Sequence, residues 1–212
     1  MNIPSIEECY RIMHRMKMPD HIAAHSIQVC RVATHISELL FSEGISLNHD
    51  LIRAAALLHD ITKIRSCTTG ENHALTGAEL ISDLGYPETG AIISQHVHLN
   101  KYFNSPVPEE AELVNYADKR VIHDSIGTLE QRYHYIIERY GVEPQRVELI
   151  HQMFKNTYLL EKRLFQYLPF SAEELVTRIT PPDCTSELNA YTRAIAQSGD
   201  TGLHVTAHGT SL

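Results

Sequence analysis

Leu51-Ile-Arg-Ala-Ala-Ala-Leu-Leu-His-Asp-Ile-Thr-Lys63 is the stretch that decides how this chain folds. Asn48 supplies a cap before it and Asp50 a carboxylate in its first turn, both favoured where the first helical N–H groups lack partners. From Leu51 to Leu58 nearly every side chain is apolar. A helix with almost no wet face belongs inside a protein. It ends on His59 and Asp60. Neighbours on a continuous helix point about 100° apart, but at a last turn both can converge on one point. A buried imidazole beside a buried carboxylate is costly unless positive charge lies between them. A metal ion meets that need.

Working outward from this helix, the periodicity predicts further helices on both sides. Ser5-Ile-Glu-Glu8 has the pattern of a capping box and opens a helix to about Lys17. Pro19-Asp20 restarts the chain into a long helix to about Ser42, ended by Gly44. Its apolar stripe is Ile22, Val29, Ala33, Ile36 and Leu40, and steps of three and four put His25 on that inner face. Gln28, Arg31, His35 and Glu38 mark its wet face. After Lys63 a polar loop is expected over Ser66–Asn72, then a helix from His73 closed by Gly85, with His73, Gly77, Leu80, Ile81 and Leu84 as its inner line. Pro87 opens another, along which Ile92, His96 and Leu99 share a face. A helix from Glu109 to about Ile126 carries Val114, Ala117, Asp118 and Val121 inward, and helices Leu129–Tyr140 and Pro144 to about Tyr167 follow. Ser171-Ala-Glu-Glu174 is a second capping box, and Pro181-Pro182 ends the helix it opens. No segment has a confident strand period, so the expected class is all-α. One domain over 1–182 is expected, with a loosely held tail rich in Ser, Thr, Gly and Ala over 183–212.

Composition narrows the function. The formal charge of −8 argues against a surface built for a nucleic-acid polymer. It leaves small anions open, since a site can oppose the global sign. Four scattered cysteines without a C-x-x-C pair fit a reducing compartment, and no segment reads as a signal peptide or as the roughly 20 apolar residues of a membrane span. The expected location is the cytoplasm. Histidine is unusually abundant, at 14 residues, and it is the commonest metal ligand. Any one inward histidine can be a core residue satisfied by a backbone carbonyl. Inward polar groups on several helices at once, His25, His59-Asp60, His73, His96 and Asp118, are harder to explain that way, and Asp118 most of all.

The order His25, His59-Asp60, Asp118 resembles the HD-domain superfamily of metal-dependent phosphohydrolases. His21-Ile-Ala-Ala-His25-Ser is similar to the family's first-ligand helix, Ala55-Ala-Leu-Leu-His-Asp-Ile-Thr-Lys63 to its HDIG variant with Thr62 in place of the glycine, and Asn115-Tyr-Ala-Asp118-Lys119 to its last ligand. The resemblance covers roughly residues 18 to 125. It implies a helical bundle of roughly seven to nine helices in which His25, His59, Asp60 and Asp118 hold one divalent metal. Branches with two metals add histidines from the next two helices, where His73 and His96 stand, with Asp60 bridging. The sequence His96-Val-His98 leaves His98 in doubt as a further ligand.

Nitrogen and carboxylate donors without thiolate suit iron, manganese, cobalt, nickel or zinc, and with three or more histidines magnesium alone fits poorly. The implied activity is hydrolysis of a nucleotide-like phosphoester or phosphoanhydride by a metal-activated water, with Asp60 and Lys63 in catalytic roles. Lys63, Lys119, Arg65 and His21 are the candidates for contact with a small phosphorylated substrate such as a nucleotide or dinucleotide. Two other readings of the same fold stay open: a non-catalytic nucleotide or metal sensor, and a di-iron oxygenase. The oligomeric state, a homodimer included, is open as well.

Overall fold

The computed structural model describes residues 1–179 and 190–193. Its helices are α1 (Ile6–Arg15), α2 (Asp20–Ser42), α3 (His49–Leu58), α4 (Lys63–Thr69), α5 (His73–Asp83), α6 (Pro87–Ile93), α7 (Glu110–Lys119), α8 (Leu129–Tyr140), α9 (Pro144–Phe165) and, after a single 3-10 turn, α10 (Leu175–Arg178). The fold is all-α, and among the described residues the strands are confined to a two-strand hairpin, β1 (Val121–Ile122) and β2 (Ser125–Ile126), between α7 and α8.

α3 is the axis of the bundle. Leu51, Ile52, Ala54, Ala55, Ala56, Leu57 and Leu58 are all buried, and α1, α2, α6 and α7 pack around them. The three alanines let α2 and α3 approach closely along Val29, Val32, Ala33, Ile36 and Leu40, each of which is fully enclosed. Local chemistry sets the ends. The Asn48 side chain accepts from Leu51 N–H, and the Asn72 side chain from Ala74 and Leu75. Gly44 and Gly85 take positive φ, 82° and 93°, which turns the chain after α2 and α5 with Ile45 N–H on the Leu40 carbonyl and Tyr86 N–H on that of Ile81.

Several elements depart from the expected pattern. The segment expected as a loop from Ser66 is the short helix α4, none of whose residues is buried, so it carries no apolar stripe to read. α7 stops at Lys119 instead of running to Ile126. There, β-branched Val121, Ile122 and Ile126 favour the hairpin, which pairs Val121 with Ile126 and turns through His123 in the left-handed region (φ 57°). α6 ends at Ile93, so His96 lies in the following turn, still buried. Ser5 accepts from Glu8 N–H at the start of α1, while full capping boxes form at Thr128 and Ser171 and another at Glu109. In α5 the buried residues are Ala74, Gly77 and Ile81, while Leu80 is half-buried and Leu84 exposed. Gln28, expected on the wet face of α2, is buried.

α8 and α9 form a hairpin with its own small core of Ile150, Met153 and Phe154 under Tyr133. That puts the Tyr133 ring in packing, stacked on His151 and edge-on to Phe154. Most of the expected tail, and the Pro181-Pro182 stop, lie outside the described residues. Residues 190–193 are helical, with Tyr191 buried edge-on to Tyr10. No helix among the described residues is long and apolar enough to cross a membrane.

Candidate metal centre

α3 ends one residue before His59, and tight turns at Ile61 and Lys63 carry the chain into α4. This break is how two neighbouring residues come to face one point. His59 and Asp60 are buried at the centre of the bundle, and α2 brings His25, α5 His73, the turn after α6 His96, and α7 Asp118 to the same place.

Asp60 divides the cluster in two. Its Oδ2 lies 3.4 Å from His59 Nε2 and 3.9 Å from His25 Nε2, whereas its Oδ1 lies 3.3 Å from His73 Nε2 and 3.7 Å from His96 Nε2. Asp118 Oδ1 closes the first half, 3.1 Å from His25 Nε2 and 3.7 Å from His59 Nε2. In the second half the His73 and His96 Nε2 atoms are 3.0 Å apart. Two sets of donor atoms, His25–His59–Asp118 and His59–Asp60–His96, are each close enough to hold one ion.

The other ring nitrogens fix which atoms point inward. His25 Nδ1 donates to the His123 carbonyl (2.7 Å), His59 Nδ1 to that of Ala56 (2.8 Å) and His96 Nδ1 to that of Ile93 (2.7 Å). With the proton on Nδ1 in each ring, three Nε2 lone pairs face the centre, the arrangement a metal-ligating imidazole needs. Buried His59 Nε2 and Asp60 Oδ1 have no hydrogen-bond partner. Atoms enclosed without partners are costly, and a divalent cation would satisfy both. The donor chemistry and these two orphaned atoms fit a metal.

The electrostatics agree. Burial alone would raise both carboxyls, yet His59 and Lys63 hold Asp60 well below the usual carboxylate range, and His25 and Arg132 do the same for Asp118. Burial likewise pushes the His59 imidazole down, and the two carboxylates overcome it and draw it up. The centre thus attracts positive charge. Burial lowers His96 to about 4, so that ring is a neutral donor at physiological pH.

The remaining expected residues fall differently. Lys63 Nζ sits 2.5 Å from Asp60 Oδ2 with its side chain 35% exposed, so it borders the centre from the solvent side. Arg65 is exposed and paired with Glu71, and His21 is exposed one turn before His25. His98 is exposed and belongs to neither donor set. Lys119 is corrected most sharply. It is 2% exposed, and its Nζ donates to the carbonyls of His96, Val97 and Asn115. Burial lowers it to about 8. With Asn115, which donates to the Gln95 and His96 carbonyls, it holds the His96 turn in place and has no free donor for a substrate. Thr62, where HDIG has glycine, is buried and donates to the His73 carbonyl (2.9 Å), tying the end of α3 to the start of α5.

Two contributors were not legible as such in the sequence. Arg132, a long cation of α8, has a side chain only 12% exposed, with Nη2 3.5 Å from Asp118 Oδ1. His123 contributes its backbone carbonyl, which no residue-type pattern announces.

A family model of the HD domain matches residues 22–121. By that match, residues 22–121 are an HD domain. The matched segment of this HD domain contains all six clustered side chains, while Arg132 and α8 to α10 lie beyond it. Two curated proteins are similar. An uncharacterised protein from Methanocaldococcus jannaschii is 32% identical over 76 residues, 36% of this chain and 44% of that one. A ribonuclease Y from Chloroflexus aurantiacus is 32% identical over 108 residues, 51% of this chain and 20% of that one. The chain thus spans less than half the length of each. A solved structure of a predicted HD superfamily hydrolase from an uncultured Thermotogales bacterium is 23% identical, with a TM-score of 0.43, covering 78% of this chain and 91% of that one.

Proposed function

We propose that this HD domain is a phosphohydrolase that cleaves a nucleotide-like phosphoester or phosphoanhydride with two divalent transition-metal ions. The observation that carries this reading is the position of Asp60, which turns one oxygen toward His25 and His59 and the other toward His73 and His96. His25, His59, Asp60 and Asp118 would hold one ion, and His73, His96 and Asp60 the other. When bound, such ions acidify a water and draw charge from a phosphoryl oxygen, as hydrolysis of a phosphate requires.

The chain's own groups prepare the rest. The three carbonyls on Nδ1 keep the rings from turning, so the donors need no reorganisation. His73, 24% exposed, and Lys63 are the accessible members, and they mark the side from which a substrate enters. Burial pushes the Lys63 amine down, but Asp60 raises it above its ordinary value. It therefore stays cationic at neutral pH, suited to a phosphate oxygen. Hydrolysis breaks the P–O bond, with the water oxygen joining phosphorus and its proton passing to the leaving oxygen.

The test is a chromatographic screen for hydrolysis products of nucleotides, dinucleoside polyphosphates and cyclic dinucleotides with manganese, iron, cobalt, nickel or zinc added, since the last two substrates yield nucleotides without free phosphate. Lys63→Ala is expected to lower kcat/KM for the best substrate by about tenfold or more, mostly through KM. Turnover that required dioxygen and cleaved no phosphoester or phosphoanhydride bond would overturn the reading.

A further inference from the structure

Among the described residues, Arg132 is the one cation at the centre that comes from outside the matched HD segment. Its guanidinium is nearly enclosed, with Nη2 3.5 Å from Asp118 Oδ1, beyond ordinary hydrogen-bond length, and a buried Nε with no partner. A guanidinium with an orphaned donor is poorly used if neutralising Asp118 is its whole task. It is also held from behind. Arg132 lies 5.6 Å over the Tyr135 ring, and Tyr135 packs edge-on against His123, whose carbonyl orients His25.

Lys63 and Arg132 stand at two corners of the same half-site. Lys63 contacts Asp60 Oδ2 and Arg132 approaches Asp118 Oδ1, the two oxygens that face His59 Nε2 at 3.4 and 3.7 Å. Two carboxylates and two cations balance to no formal charge. Each divalent ion adds two positive charges, and neutral imidazoles offset none of them. The loaded site therefore has a surplus of positive charge that an anionic ligand must offset.

We propose that Arg132 is a substrate contact, gripping with its planar fork a phosphoryl group that Lys63 holds from the other side. The inference rests on the phosphohydrolase reading. It adds that phosphate recognition depends on α8, an element that the HD segment alone does not supply. Arg132 and Lys63 together demand a phosphoryl group with at least two free oxygens.

The test is calorimetric titration of the manganese-loaded full chain with inorganic phosphate, with metal content measured in parallel. Arg132→Gln is expected to weaken phosphate binding by about thirtyfold without changing metal stoichiometry. Arg132→Lys keeps the charge beside Asp118 and covers the case in which the first variant does not fold. It is expected to lose about tenfold, because an ammonium cannot match the fork. Phosphate binding equal to wild type in either variant, or loss of metal in place of loss of phosphate, would reduce Arg132 to a counter-ion of Asp118. A wild-type chain that loads manganese and ignores phosphate would sink the phosphohydrolase reading itself, and this proposal with it.

Discussion

Asp60→Ala is expected to lower turnover by about three orders of magnitude or more and to leave the protein without bound transition metal. Among the described residues Asp60 alone places carboxylate oxygens within 3.9 Å of four imidazoles, so its loss removes a carboxylate from both halves of the centre. Losing it leaves nitrogen ligands facing one another with only Asp118 to offset a cation. Asp60→Asn keeps the shape and removes the charge, so it separates folding from binding. It is expected to fold and to bind little metal. Both readouts, kcat/KM and ions per chain by plasma mass spectrometry, are direct. Full activity in Asp60→Ala would mean that the chemistry lies elsewhere.

Arg120→Ala is expected to have the largest effect on stability, costing about 3–5 kcal/mol in the metal-free protein. Arg120 is 1% exposed and is among the largest fully buried side chains. Its Nε donates to the Gly127 carbonyl (2.7 Å), Nη2 to that of Ala172 (2.9 Å), and Nη1 to Tyr116 Oη and Glu161. Those partners belong to α7, α9, the link between β2 and α8, and the 3-10 turn, so one guanidinium pins the C-terminal helices to the HD segment. Burial raises the Glu161 carboxyl above the usual range even with Tyr116 and Arg120 opposing. The ion pair alone is thus a weak source of stability. The loss comes from a cavity and from carbonyls left without donors. Total stabilities of about 5–15 kcal/mol are usual, so the urea midpoint should fall steeply. A change below about 1 kcal/mol would show that α9 docks by other means.

What the sequence disclosed, and what it hid, follows from the range of each interaction. His25 and Asp118 could be placed inward because they fall in register with apolar neighbours along α2 and α7, a local and periodic signal. Caps at Asn48 and Ser171 and the glycines closing α2 and α5 are equally local. The break that lets His59 and Asp60 share a point is implied by the chemistry, since a continuous helix would separate them. α4 has no apolar stripe and the β1–β2 pairing is two residues long, so neither gives a period to detect. Lys119 and Arg132 are long cations whose type says surface. Lys119 lies inside because the carbonyls after α6 await donors there. Arg132 turns inward because Asp118 and the Tyr135 ring receive it. Both are tertiary facts with no local trace.

The six converging side chains are expected to make a cage for two divalent ions. Metal content of protein purified without chelator, followed by manganese titration of the stripped chain across pH, tests it most directly. Two ions per chain are expected at neutral pH. Retention should fall as acid protonates the imidazoles, with the His59 half losing its ion first, because that ring is drawn up while burial keeps His96 neutral down to about 4. A stripped chain that stays folded at neutral pH and takes up no manganese, iron or zinc would contradict it.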